Sequence, residues 1–73
     1  MKPQVGQIWK HSKKGNLYKI IAIAKHSETL EDMIVYEAQY ENTLSKTWIR
    51  PLSMWTEEVE IDGKKVPRFT LIS

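Results

Sequence analysis

The chain has 73 residues, seven of them aromatic, and a net charge of +2. Its length predicts one domain over residues 1–73, and so small a domain buries only about 60% of its unfolded surface. The absence of cysteine excludes a disulfide framework and a thiolate metal site, and no apolar run approaches the ~20 residues of a membrane-spanning helix. No secretion signal follows the start Met1–Gln4, so we expect a cytoplasmic protein that does not bind membranes.

The first half of the chain predicts three strands. A short strand over Val5–Lys10 is followed by a turn over 11–16, which closes with Gly-Asn, a pair that tolerates positive φ. Leu17–Lys25 is rich in isoleucine and bounded by turns, which indicates a strand buried on both faces. Met33–Glu41 alternates apolar and polar residues and is predicted to be a half-buried strand.

The second half predicts one more strand, a short turn and a hairpin. A strand over Lys46–Arg50 ends at Pro51, which has no N–H to donate, and Pro51–Trp55 is predicted as one 3₁₀-like turn. A hairpin over 58–66 turns at Asp62-Gly63, a preferred type I′ pair. Five to six short strands with one short helical or 3₁₀ turn predict an all-β fold, a small and partly open β-barrel.

The loop His26-Ser27-Glu28-Thr29-Leu30-Glu31 is richer in polar side chains than a plain hairpin turn requires. One interpretation is that His26, Ser27, Glu28 and Thr29 contact a ligand. The other is structural: His26 is a hydrogen-bonded loop residue, and Thr29 begins a helical turn in a capping box that ends at Asp32. The sequence leaves both open.

A second group of candidate site residues is aromatic and basic. Trp48 and Arg50 lie two positions apart, so a strand projects both from one face, where they suit a planar anion. Alternatively, Arg50 forms an internal ion pair with an acid of segment 28–32. His11 shares a turn with Lys13 and Lys14. This turn either binds phosphate or is a solvent-exposed lysine turn without a ligand.

Charge is distributed unevenly along the chain. The first 27 residues contain six lysines and no acid, whereas the rest contains nine acids and five basic side chains. This asymmetry indicates either an anion-binding face, including one for nucleic acid, or two halves that neutralise each other in the folded domain.

Several chemistries are excluded by spacing. The two histidines lack the spacing of a metal site, no glycine-rich phosphate loop is present, and neighbouring Ser and His residues make poor nucleophile–base pairs. We therefore expect no catalytic residues, no metal, no cofactor and no enzymatic activity.

The chain resembles the bacterial domain-of-unknown-function family 1653 from about Gly6 to Phe69. The resemblance rests on the 26–31 loop, the Trp48-Ile49-Arg50-Pro51 segment and single positions along the chain, among them His11, Tyr18 and Arg68. It implies an SH3-like barrel and no established activity.

The resulting hypothesis is a non-catalytic binding module for a small anionic ligand, a peptide or a protein partner. Its site lies where the 26–31 loop meets the Trp48–Arg50 strand, with His11 at the rim. One alternative is RNA or single-stranded nucleic-acid binding through the basic first third. Another is a structural part, monomeric or weakly dimeric, that pairs through an open barrel edge.

Overall fold

The fold consists of seven strands and one short helix in the residues that the structure describes. The computed structural model describes residues 2–41 and 44–73. Met1, the first residue of the segment Met1–Gln4, therefore lies outside the described residues. The elements are β1 (Ile8–His11), β2 (Leu17–Lys25), β3 (Asp32–Ala38), β4 (Thr47–Pro51), α1 (Leu52–Trp55), β5 (Glu58–Ile61), β6 (Lys64–Pro67) and β7 (Phe69–Leu71).

The strands form two antiparallel sheets. The larger has the order β4-β3-β2-β1-β7 and does not close on itself, and the smaller pairs β5 with β6. The predicted all-β class is confirmed, with seven strands rather than five or six. The additional strand arises because the Arg68 N–H bonds to the Glu57 carbonyl at 2.8 Å, after which Phe69 leaves the hairpin and pairs with His11.

The predicted burial of β2 on both faces is wrong. Tyr18 and Ile20 are buried, but Ile21 and Ile23 are 38% and 42% exposed. The register against β3 shifts at a bulge between Ile20 and Ala22, after which Ile23 pairs with Ile34. The core cluster includes Tyr18 and Ile20 but no residue of the second half of β2, so this half of the strand extends past the core.

The core lies on the inner face of the large sheet and is mainly aromatic. Trp55 of α1 stacks on Phe69 with ring centroids 3.8 Å apart and an interplanar angle of 5°. The segment predicted as a 3₁₀-like turn is instead one α-helical turn, since the Thr56 N–H bonds to the Leu52 carbonyl at 3.1 Å. This turn places Trp55 over the sheet.

The C-terminal hairpin has the predicted turn. Asp62 and Gly63 have φ values of 51° and 77°, as a type I′ turn requires, and Val59 pairs with Val66. Across residues 2–41 and 44–73, no helix has the length and apolar character needed to cross a membrane.

Candidate functional site

The centre of the candidate site is Arg50. Its pairing partner in β3 is Ile34, and Trp48 pairs with Tyr36, so both β4 side chains lie on the inner face of the sheet. The Arg50 Nε donates to the Tyr36 hydroxyl at 3.4 Å, and the guanidinium carbon lies 5.4 Å from the centroid of Phe69.

Arg50 has no carboxylate partner in the described part of the chain, where ion pairs join Lys25, Lys46 and Arg68 to acids. The alternative of an ion pair with an acid of segment 28–32 is therefore not observed. A half-buried guanidinium with one hydrogen bond to a phenol retains four N–H donors. Arg50 is consequently equipped to receive an anion.

His11 contacts the same Phe69 ring as Arg50 and is 8% exposed. Its ring meets Phe69 edge-on with centroids 5.1 Å apart, and its Nδ1 accepts the Lys14 N–H at 3.2 Å. Burial lowers the pKa of His11, and the nearby charges of Arg50, Lys14 and Arg68 lower it further. The favoured ring is thus neutral, with its proton on Nε2 as a free donor.

Tyrosine hydroxyls and a second guanidinium complete this end of the domain. The Tyr18 and Tyr40 hydroxyl oxygens are 2.8 Å apart, and burial together with this hydrogen bond raises the pKa of Tyr18 to about 12. Arg68 donates through Nη2 to Glu57 at 2.8 Å, while its buried Nε has no hydrogen-bond partner. The raised pKa keeps the Tyr18 phenol protonated and uncharged.

The 26–31 loop is organised around the His26 ring. His26 Nδ1 accepts the N–H groups of Glu28 and Thr29 at 3.1 and 3.3 Å, and the Leu30 N–H returns to the His26 carbonyl at 2.9 Å. Leu30 has a φ of 64°. The imidazole thus accepts hydrogen bonds from the turn amides in a loop that contains neither Gly nor Asn.

The capping box predicted for this loop is absent, and the segment is a turn rather than a helix. The Thr29 hydroxyl accepts the Glu31 N–H at 3.4 Å, and Asp32 instead forms an ion pair with Lys25 at 2.8 Å. The Lys25 ammonium beside Asp32 holds the pKa of that carboxyl below its usual value.

The structure brings some of the predicted site residues together and not others. His11 and Arg50 meet around Phe69, and Trp48 lies beside Tyr36 on the same face. Within the described residues, no hydrogen bond, ion pair or ring contact joins the 26–31 loop to this group. Ser27 and Glu28 are exposed in that loop.

Sequence reasoning missed Tyr36 and Phe69 as members of the site. The alternation of β3 marks Tyr36 as an inner-face residue, so its signal was present. Phe69 has no such local signal, because it meets Arg50 only through the pairing of β7 with β1.

The lysines of the first third are mostly without ion pairs. Lys25 is bound to Asp32, and in the described residues no acid lies within ion-pair distance of the other five, which are Lys2, Lys10, Lys13, Lys14 and Lys19. Lys13 and Lys14 lie close enough to His11 to lower its pKa. In the part of the chain that the structure describes, direct pairing between the two halves is therefore limited to Lys25 and Asp32.

No group of three or more His, Asp or Glu side chains is placed to hold a metal ion in residues 2–41 and 44–73.

Comparison with known proteins gives a family and a fold. The family model described as "Protein of unknown function (DUF1653)" matches residues 7–71. A crystal structure of a DUF1653 protein from Bordetella bronchiseptica is similar, with 28% sequence identity and a TM-score of 0.84, and the match covers 96% of this chain and 87% of that one. No curated protein matches this chain.

Proposed function

The chain belongs to DUF1653, a family of unknown function, and we infer its role from its own side chains. We propose that it is a non-catalytic module that binds a carboxylate or phosphate group at Arg50. The group would belong to a small anionic ligand, or to a peptide or protein partner.

The observation that carries the proposal is the state of the Arg50 guanidinium. It rests on the Phe69 ring, is fixed by Tyr36 through Nε and faces no acid among the described residues. A guanidinium is a planar fork that matches carboxylate and phosphate oxygens in pairs. Its hydrogen bond to Tyr36 uses Nε and leaves both terminal nitrogens for a ligand.

The surroundings favour an anion over a cation. Lys13, Lys14 and Arg68 all lie near enough to His11 to affect its pKa, so positive charge collects at this end of the domain. Neutral His11 offers an Nε2 donor, and the half-buried Trp48 ring offers a stacking face. Together these side chains supply both charge and an apolar wall.

The 26–31 loop forms the second part of the proposed site. Its exposed Ser27 and Glu28, with the Thr29 hydroxyl, follow the end of β2, and Asp32 beyond them stands two residues from Ile34, the partner of Arg50. His26 holds the loop in shape through Nδ1, which leaves its Nε2 as a donor. These groups would contact the polar part of a ligand that extends beyond Arg50.

The test is titration with inorganic phosphate and with citrate at low salt, followed by amide chemical shifts. We expect Arg50→Gln to weaken binding by roughly 10- to 100-fold, the effect of losing a charged hydrogen bond. Arg50→Lys should recover only part of it, since Lys lacks the fork. Lys19→Gln removes an exposed lysine elsewhere and is the matched control. Equal affinity in Arg50→Gln and the unsubstituted protein would contradict the proposal.

A second candidate is binding of single-stranded nucleic acid, with phosphate as the anion. The observation in its favour is that Lys13 and Lys14, which form no ion pair with a described residue, lie close enough to His11 to lower its pKa, as Arg50 does. Titration with a short oligonucleotide at several salt concentrations tests it, because phosphate contacts make affinity fall steeply with salt. The absence of binding at low salt would exclude it.

A further inference from the structure

Strand β4 is an edge of the large sheet, and its outer hydrogen-bonding groups can be identified. The Ala38 N–H bonds to the Lys46 carbonyl at 2.8 Å, which continues the β3–β4 register. Hydrogen-bonded pairs alternate in an antiparallel ladder, so Trp48 and Arg50 direct their backbone groups toward β3. Thr47, Ile49 and Pro51 therefore direct theirs away from the sheet.

We propose that this edge pairs with β4 of a second copy of the chain, antiparallel and centred on Ile49. A two-fold axis at Ile49 makes the two Ile49 residues a hydrogen-bonded pair, each donating its N–H to the carbonyl of the other. In the described residues these two backbone groups have no other partner. The edge is thus complementary to itself in this register.

The next pair in this register contains a proline, which cannot donate a hydrogen bond across the interface. Thr47 then faces Pro51 of the second copy, which has no N–H to donate. The Thr47 carbonyl does not need one, because it already accepts the Ser45 hydroxyl at 2.7 Å. The Thr47 N–H likewise bonds to the Ser45 hydroxyl at 3.3 Å, and the Pro51 carbonyl, at the N-cap of α1, accepts the first bond of the helix. The pair of Thr47 with Pro51 therefore adds no hydrogen bond between the copies and leaves no group in need of one, so the pairing rests on Ile49 and on the Trp48–Arg50 pairs.

Side chains on both faces of the pairing also match. Ile49 is 60% exposed, the most exposed of the large apolar residues within described strands, and would meet its own copy on the outer face. On the inner face, Trp48 stands opposite Arg50 of the second copy in a non-hydrogen-bonded pair, the closer of the two pair types. The indole and the guanidinium suit each other there.

The proposed dimer does not depend on the anion site. It would bring Trp48 of one copy beside Arg50 of the other and join the two Arg50 sites across the axis. Arg50→Gln tests the anion site, whereas a change at Ile49 tests the pairing. The two proposals can therefore fail separately.

A cysteine substitution gives the sharpest test, because the natural chain contains no cysteine. In Ile49→Cys the two substituted positions would face each other with Cα atoms about 5.5 Å apart, within disulfide range. In the control Thr47→Cys, on the same strand and face, they would be about 14 Å apart. Mild oxidation at 100 μM should link most of the Ile49→Cys protein and little of the control. Equal linkage in both variants would overturn the proposal.

Sedimentation velocity tests the proposal without cross-linking. The unsubstituted chain should show a concentration-dependent dimer, and Ile49→Lys should weaken it at least 10-fold by placing two ammonium groups at the axis. Ile23→Lys alters an exposed isoleucine away from the edge and should leave the dimer unchanged. A circular dichroism spectrum confirms that each variant is folded. A monomer at every concentration up to 500 μM would also overturn the proposal.

Discussion

His11 is neutral in the folded domain because burial and the positive charge of Arg50 both oppose its protonation. Protonation would place a third cation beside Arg50 and Arg68, on a ring that is packed against Phe69. The folded state therefore binds a proton at His11 less readily than the unfolded chain does, and this difference makes stability depend on pH.

We expect acid to lower the stability of the folded domain through His11. Because its pKa is lowered from 6.5, the unfolded chain takes up the proton first as pH falls. Stability should be constant well above pH 6.5 and should fall below it until pH reaches the lowered value. His11→Asn removes the titration and keeps an acceptor near the position of Nδ1, so its melting temperature should fall less between pH 7.5 and pH 5.

The other histidine provides the control for that experiment. His26→Asn also replaces an imidazole that accepts backbone N–H groups, but it leaves His11 in place. Because His11 still titrates in this variant, its acid destabilisation should exceed that of His11→Asn. The explanation fails if His11→Asn loses as much stability toward pH 5 as the protein with both histidines.

Among the elements, the β5–β6 hairpin has the turn with the most demanding backbone. Gly63 has a φ of 77°, and no atom lies within 4 Å of a Cβ built on it. Gly63→Ala therefore introduces conformational strain and no clash, and should lower the free energy of unfolding by about 1 kcal/mol. Urea denaturation measures this loss, and Asp62→Asn, which also suits a type I′ turn, should change stability little. A neutral Gly63→Ala would show that the hairpin is not formed in the cooperative unit.

Elements were predictable from sequence where the signal is local. The alternation of β3 and the Asp-Gly turn both depend on neighbouring residues, and both are confirmed. The exposure of Ile21 and Ile23 was not predictable, because it depends on where the bulge falls in β2 and on how much of the strand the core covers. The side-chain pair Trp48–Arg50 follows from strand periodicity, but the ring beneath Arg50 comes from β7 and has no local signature.

For the whole molecule, stability rests on one aromatic cluster. Trp55 contacts Phe69 face to face and meets Trp9 and Tyr36 edge-on, so four rings from β1, β3, α1 and β7 share one core. A domain of this size has a total stability of roughly 3–5 kcal/mol from its core. Phe69 also forms the base of the anion site, so loss of this cluster would remove both the fold and the site.

Trp55 is the residue at which this dependence can be measured. It is 1% exposed, and truncating so large a buried ring costs about 3–5 kcal/mol, so Trp55→Ala should be largely unfolded at 25 °C. Its indole N–H is buried without a hydrogen-bond partner, which itself costs about 1–3 kcal/mol.

Trp55→Phe removes that unpaired donor while keeping a ring on Phe69, so the gain should offset much of the lost packing. Urea denaturation followed by circular dichroism should therefore place Trp55→Phe near the unsubstituted protein, with the half-buried Trp48→Ala as a folded control. If Trp55→Phe were as unstable as Trp55→Ala, ring volume would outweigh the unpaired N–H in this core.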